Sequence, residues 1–241
     1  MSSGVKYQLT GDAWRNFDAY IHELAGDSSC RRVCDIGGGA NPIGAPASRL
    51  TPLESYTLLD ISETELAKAP EGYDKVVADI ASASPPDLGT YDLVFSKMLA
   101  EHVRSGEQLH RNIFKMLNPG GLAVHIFPTL YALPFLINHL MPEQLASAVL
   151  KKLSPQRLST GRNDKFPAHY SWTLGPTSKQ LARLEGIGYE VVEYLGMFGH
   201  EGYYERIPPI KKLHMAECRW LLAHPIPQLT SYARITLRKP G

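Results

Sequence analysis

Residues 34–44 read CDIGGGANPIG, placing four glycines and one proline behind a short apolar run that contains Asp35. Glycines remove the Cβ atoms that would hold a ligand away from the backbone, so such a loop suits close approach. Downstream, Asp60 closes the apolar run YTLLD, 23 residues after Gly37, and Asp79 falls near the end of YDKVVADI. A strand, a glycine loop and a second strand ending on an acid form a nucleoside-binding arrangement. The carboxylate can accept from both cis-hydroxyls of a ribose, and the ligand lies across the carboxyl ends of the strands. A phosphate-cradling GxxxxGK[ST] loop is excluded because its lysine is absent. A dinucleotide loop needs a third glycine where this chain has Pro42, which has no N–H to offer a pyrophosphate.

The elements that must hold these residues follow from periodicity and punctuation. DAWRNFDAYIHELA (12–25) spaces Trp14, Phe17, Ile21 and Leu24 as one helical face. RRVCDI (31–36) reads as a strand running into the glycine loop, and YTLLDI (56–61) as a second. SETELAKA follows as a helix whose Ser62 and Glu65 have capping-box spacing. YDKVVADI (73–80), YDLVFSKM (91–98) and GLAVHIF (121–127) supply three more strands. A helix over 105–117 precedes the last of these and is stopped by NPGG. TSKQLARLEGIG and PPIKKLHMAECRWLLAH predict helices, and YEVVEYLGMF and SYARITLRK predict the remaining strands. The alternation predicts an α/β domain: a doubly wound, mostly parallel, seven-stranded sheet with a helical insertion after the fifth strand. The expected organisation is an N-terminal helical segment over 1–29, a cofactor-binding half over 30–127, an insertion over 128–172 and a C-terminal half over 173–241. Within the insertion an amphipathic helix is expected near 143–153, followed by the basic stretch KKLSPQRLSTGRNDK.

Taken in order, DIGGGANP, LLDIS, VVADI, YDLVFSKMLAEHV and LNPGGLAVHIFP resemble the class I S-adenosylmethionine-dependent methyltransferases, a likeness that is good over about residues 30–127. The resemblance implies a Rossmann-like fold with S-adenosyl-L-methionine as cofactor. It implies that Asp35 lies near the methionyl amino group and that Gly37 and Gly39 let the backbone approach. It further implies that Asp60 holds the ribose hydroxyls, and that Asp79 sits by the adenine amino group with Ile80 near the ring. Ile61 and Ser96 join the same set. The cofactor carries no phosphate, so the missing third glycine costs nothing in this reading.

Methyl transfer needs an aligned acceptor and, for a hydroxyl of high pKa, a base or a metal; histidine is the usual base. Four histidines are candidates. His102, in AEHV, follows the fourth strand, where the family faces the methyl donor, or else merely starts a helix there; Glu101 beside it is a candidate orienting partner. His125 lies near the end of the fifth strand, as a core histidine or an acceptor-facing one. His169, in FPAHYSW, follows the insertion, and His200, in MFGHEGYYER, ends the sixth strand. Some relatives carry an extra acid before EH and bind a divalent ion; the corresponding residue here is Met98, so no metal site is expected. The histidines favour oxygen as the methylated atom. The chain reads SKML where an NPPY motif would mark adenine or glutamine methylation.

The 241 residues carry a formal net charge of +1, with 44% hydrophobic and 20% charged residues, which excludes bulk nucleic-acid attraction. Cys30, Cys34 and Cys218 lack metal-ligand spacing and read as reduced thiols. MSSGVKYQLTGDAW has no apolar signal core, and a cytoplasmic location is the expectation. IFPTLYALPFLINHLM (126–141) is strongly apolar but broken by Pro128 and Pro134, so stable membrane insertion is not expected. The basic stretch KKLSPQR (151–157) reads first as a solvated face; its alternative, beside this apolar segment, is a basic rim that suits a lipophilic or lipid-linked acceptor. The expected partner is a small-molecule or glycan acceptor, and a homodimer stays open. Two other readings remain at this level: a NAD-type oxidoreductase on a related fold, and a non-catalytic cofactor-binding partner protein.

Overall fold

The computed structural model describes residues 4–44, 53–130, 132 and 167–241. The expected helix at 143–153, the basic stretch and most of the apolar 126–141 segment lie outside the described residues. The chain builds β1 (Val5–Leu9), α1 (Ala13–Ala25), β2 (Arg32–Ile36), β3 (Ser55–Asp60), α2 (Glu63–Ala67), β4 (Asp74–Val77) and β5 (Tyr91–Lys97). A 3₁₀ turn (Ala100–His102) leads to α3 (Gly106–Met116) and β6 (Leu117–Pro128). Then come α4 (Ser178–Glu185), β7 (Glu190–Phe198), α5 (Pro208–Ala223) and β8 (Tyr232–Arg238).

One sheet holds all eight strands in the order β1-β7-β8-β6-β5-β2-β3-β4, parallel except for β8, which runs against both β6 and β7. The eighth strand corrects the expected seven: residues 1–29 are not only helical, because Val5–Leu9 pair with Tyr194–Phe198 at the sheet edge. VKYQL has only half-buried residues facing the core, too weak a pattern to announce a strand by itself. The second departure is NPGG. It does not precede the strand but lies within β6, where the register against β5 jumps from Tyr91–Leu117 to Leu93–Leu122. The extra residues bulge around Gly120 (φ +82°), whose N–H donates to the Lys239 carbonyl.

Period-two alternation divides the apolar side chains between two faces. Val33, Leu58, Leu93, Phe95, Val124 and Ile126 meet Phe17 and Ile21 of α1 on one face. Cys34, Ile36, Leu59, Val94 and Ala123 meet Leu109 and Ile113 of α3 on the other. The cap predicted at Ser62 forms, its Oγ accepting from the Glu65 N–H at 3.2 Å; Ser105, expected only as a helix start, also caps, its Oγ accepting from the Gln108 N–H at 3.1 Å.

Gly106, the first residue of α3, is pressed onto the returning chain. Its N–H donates to Ser171 Oγ at 2.9 Å, and a Cβ there would collide with the Ser171 carbonyl oxygen and stand 2.6 Å from Trp172 Cβ. Neither neighbour is a flexible side-chain tip, so the backbone must move. Gly106→Ala is therefore expected to lower stability by about 1–3 kcal/mol, measured by urea denaturation; an unchanged midpoint would show that this contact is not tight.

Candidate functional site

From β2 the chain steps outward through β3 to β4, then returns on the other side of β2 with β5. The crevice at the carboxyl ends of β2 and β5 is thus a topological switch point, the place where an open parallel sheet takes its ligand. The glycine loop enters the crevice from β2 and residues Met98–His102 enter it from β5. The two loops touch, since a Cβ on Gly37 (φ +76°) would collide with the Leu99 side chain. A Cβ on Gly38 would lie 2.7 Å from the Asp35 carboxyl. Both glycines are therefore required by the protein's own packing. Gly39 is different: its Cβ would stand 3.2 Å from Asp60 Oδ2, in the gap between the loop and the end of β3.

Asp35 is buried beneath this loop. Its Oδ2 accepts a long hydrogen bond from the Ile43 N–H (3.3 Å) and another from the Tyr56 hydroxyl (3.5 Å). Burial, only partly offset by these donors, pushes its carboxyl up to about 7. A nearby ammonium group would compensate such a carboxylate, which suits the methionyl end of the expected cofactor. Tyr56, whose hydroxyl also accepts from the Gly44 N–H at 3.1 Å, supports the loop from beneath. The sequence reading missed it, because in a buried strand it has the pattern of an ordinary core aromatic.

At the end of β3, Asp60 Oδ1 accepts from the Ser62 N–H at 2.9 Å while Oδ2 lies toward Gly39. Half-burial raises this carboxyl as well. Beside it Ile61 is 62% exposed, and Val77, at the end of neighbouring β4, is 52% exposed. A carboxylate, a bare glycine backbone and an uncovered apolar ledge at adjacent strand ends fit the ribose and base of a nucleoside. Asp79 is exposed, and its Oδ1 accepts from the Ala81 N–H at 2.9 Å. Ile80 is placed otherwise: it is 4% exposed, packed into the core on the α3 face, and its carbonyl accepts from Asn112 at 2.7 Å.

On the β5 side, Glu101 is almost wholly buried, and its Oε2 has no hydrogen-bond partner. Burial pushes its carboxyl up to about 8. Its Oε1 lies 3.6 Å from His102 Nε2, while His102 Nδ1 is 3.1 Å from the Pro167 carbonyl, which makes Nδ1 the donor nitrogen. The His169 and Tyr170 N–H groups both donate to the Glu101 carbonyl, at 2.7 and 3.0 Å. The structure thus brings His102 and His169 to one place around Glu101. The described residues contain three non-glycine residues of positive φ, and all lie here or next to it: Met98 (56°), Tyr170 (50°) and Trp172 (65°). Each such conformation costs on the order of 1–3 kcal/mol, and strain of this kind gathers at functional sites. No local sequence signal marks it.

The other nominated residues are not brought to this mouth. Ser96 and His125 are cross-strand neighbours in the core, with Ser96 Oγ 2.8 Å from His125 Nδ1; the core-histidine reading of His125 is the one the structure shows. Burial, with His110 beside it, holds the His125 imidazole well below the usual range. His200 has both ring nitrogens engaged, Nδ1 with Ser231 Oγ (2.8 Å) and Nε2 with Tyr204 Oη (3.2 Å). Burial and the neighbouring His214 ring press its pKa down to about 3, so it ties β7 to β8 rather than standing ready to take a proton.

The ends of the insertion meet beside this crevice. The Leu130 N–H donates to the Thr173 carbonyl at 3.2 Å, and Thr129 is tied to Ser231 at the start of β8.

The sequence profile described as a methyltransferase domain matches residues 10–193. No curated protein sequence matches the chain. Among solved structures, the N-methyltransferase NodS from Bradyrhizobium japonicum WM9 is similar with a TM-score of 0.52 and 13% identity, over 97% of this chain and 100% of that one. Phosphoethanolamine N-methyltransferase 2 from Haemonchus contortus is similar with a TM-score of 0.55 and 17% identity, over 95% of this chain and 53% of that one. The cyclase SpnF is similar with a TM-score of 0.53 and 15% identity, over 100% of this chain and 87% of that one. At such identities the likeness is one of fold, and a fold that also carries a cyclase leaves the chemistry to the site.

Proposed function

The chain belongs to the methyltransferase-domain family, and we propose that it transfers a methyl group to a hydroxyl of a small-molecule or glycan-type acceptor, with His102 as the base. Its methyl donor is S-adenosyl-L-methionine, which when bound supplies an activated methyl group and its own leaving group. Asp60 would hold the ribose hydroxyls opposite Gly39, Ile61 the base, Asp79 its amino edge and Asp35 the methionyl ammonium.

The observation that carries the acceptor reading is the Glu101–His102 pair at the end of β5. The Pro167 carbonyl accepts from His102 Nδ1, so Nε2 is the basic nitrogen that would take the acceptor's proton. Glu101, 3.6 Å from that nitrogen, stabilises the imidazolium so formed. His169, exposed at the same mouth, is placed to orient the acceptor. The two ends of the insertion, at Leu130 and Thr173, are pinned together beside the crevice, where an acceptor would approach.

A second reading rests on the unpaired Glu101 Oε2. A buried carboxylate with one oxygen unengaged also suits an amine acceptor, the class named for NodS and for the Haemonchus contortus enzyme. Acceptor pairs that share a skeleton and differ only in carrying a hydroxyl or an amine distinguish the two. With methyl-labelled donor, the hydroxyl members are expected to be methylated and the amines not. Turnover confined to the amines would overturn the oxygen assignment. S-adenosylhomocysteine binding with no turnover on any pair would overturn the catalytic one.

A further inference from the structure

Nine large hydrophobic side chains are exposed among the described residues, and six of them fall between positions 210 and 229. Two of the remaining three, Ile61 and Val77, belong to the cofactor ledge described above. The six are Ile210, Leu213, Trp220, Leu222, Ile226 and Leu229, with Leu213 73% and Trp220 54% exposed. They sit on and just after α5. That helix buries only His214, Cys218 and Leu221, against Phe198, Tyr7 and Leu9, and turns its opposite side outward.

Leu213 and Trp220 are seven residues apart and so share one outward stripe, with Ile210 one turn before Leu213. Lys212 and Arg219, also seven apart, form a parallel stripe beside it. With Lys211, Met215, Glu205 and Pro208 they line a hollow of about 550 Å³. Lys211 is 3.5 Å from Glu205, whereas Lys212 and Arg219 make no ion pair among the described residues. Arg206, just before the helix, adds a further exposed cation.

We propose that the outward face of α5 docks on an anionic lipid surface. Leu213 and Trp220 would enter the headgroup–acyl boundary, and Lys212 and Arg219 beside them would receive lipid phosphates. The pairing of an apolar stripe with an indole and adjacent long basic side chains is what an interfacial helix needs. Aromatic rings settle at the boundary, and lysine and arginine stems lie along apolar surface while their charges reach headgroups. Charge also selects this occupant over a second copy of the chain. A two-fold contact through this face would set the positive excess of Arg206, Lys211, Lys212 and Arg219 over Glu205 and Glu217 against its own equivalent. No helix among the described residues is long and apolar enough to cross a membrane, so the association is peripheral.

The test is flotation of the full chain with vesicles of phosphatidylcholine alone or with added phosphatidylserine. Binding is expected only to the phosphatidylserine vesicles and should weaken as salt rises. Lys212→Glu with Arg219→Glu, and separately Leu213→Ser with Trp220→Ser, should each reduce it by about tenfold or more. S-adenosylhomocysteine affinity and thermal midpoint should be unchanged, since these side chains lie on the surface away from the glycine loop. Failure to float with phosphatidylserine, or equal flotation of the variants, would overturn the proposal. So would a concentration-dependent dimer abolished by the Leu213/Trp220 pair, which would assign the face to a second copy.

Discussion

Asp60→Ala lowers S-adenosylhomocysteine affinity by about 100-fold, the largest loss expected from any single substitution at the site. The reasoning is electrostatic. Hydrogen bonds to a charged acceptor contribute about 1.5–3 kcal/mol each, and a carboxylate opposite a ribose accepts more than one. In the proposed pose, removing it takes away the carboxylate that stands across from Gly39. The same carboxylate caps the Ser62 N–H, so alanine also loosens the start of α2. Asp60→Asn separates the two effects: it keeps a cap and one neutral acceptor, and its affinity is expected to fall between those of wild type and Asp60→Ala. Titration calorimetry reads both. If Asp60→Ala bound S-adenosylhomocysteine as tightly as wild type, the cofactor would have to lie elsewhere than across the end of β3.

The second large effect is expected at Glu101 and has two signatures with different pH dependence. For catalysis, Glu101→Gln removes the carboxylate that supports the His102 imidazolium, and kcat should fall about 100-fold. Because burial holds the carboxyl at about 8, wild-type kcat/KM should climb with pH toward that value as Glu101 ionises. The variant should lack this rise. For stability the sign is opposite. A carboxyl whose folded pKa lies above its unfolded value, about 4.5, binds more protons in the folded state between those two values. Its contribution is whole below pH 4.5 and is lost as pH rises through 8, where the chain must bury a charge. Glu101→Gln should match wild type near pH 4.5 and exceed it by pH 9, by an amount on the order of 3 kcal/mol. A variant less active yet more stable at alkaline pH is the mark of a functional buried acid. Identical pH profiles for the two proteins would remove Glu101 from the mechanism.

The glycine loop, Asp60 and Asp79 stand out in the sequence because the pattern that marks them is local. A strand end, a tight turn and an acid at a fixed spacing are all written within a few residues of one another. The cap at Ser62 was legible for the same reason. β1 was not, because five half-buried residues become a strand only through the edge of β7. The bulge at Asn118–Gly121 was hidden likewise, since it depends on the register between β5 and β6.

The histidines show the same boundary more sharply. As letters in a sequence, His102, His125, His169 and His200 were four equal candidates for one base. The tertiary structure ranks them by what packs around each ring. His125 is enclosed between Ser96 and His110, and His200 is held by Ser231 and Tyr204. His102 and His169 gather at Glu101. By itself the sequence determined the α/β fold and the cofactor class, because those are properties of short segments with a fixed period. Burial, and with it the pKa of Glu101 and Asp35, the strained turns around them and the uncovered stripe on α5, was decided only when distant segments came together. Desolvation belongs to the assembled neighbourhood and not to any residue alone.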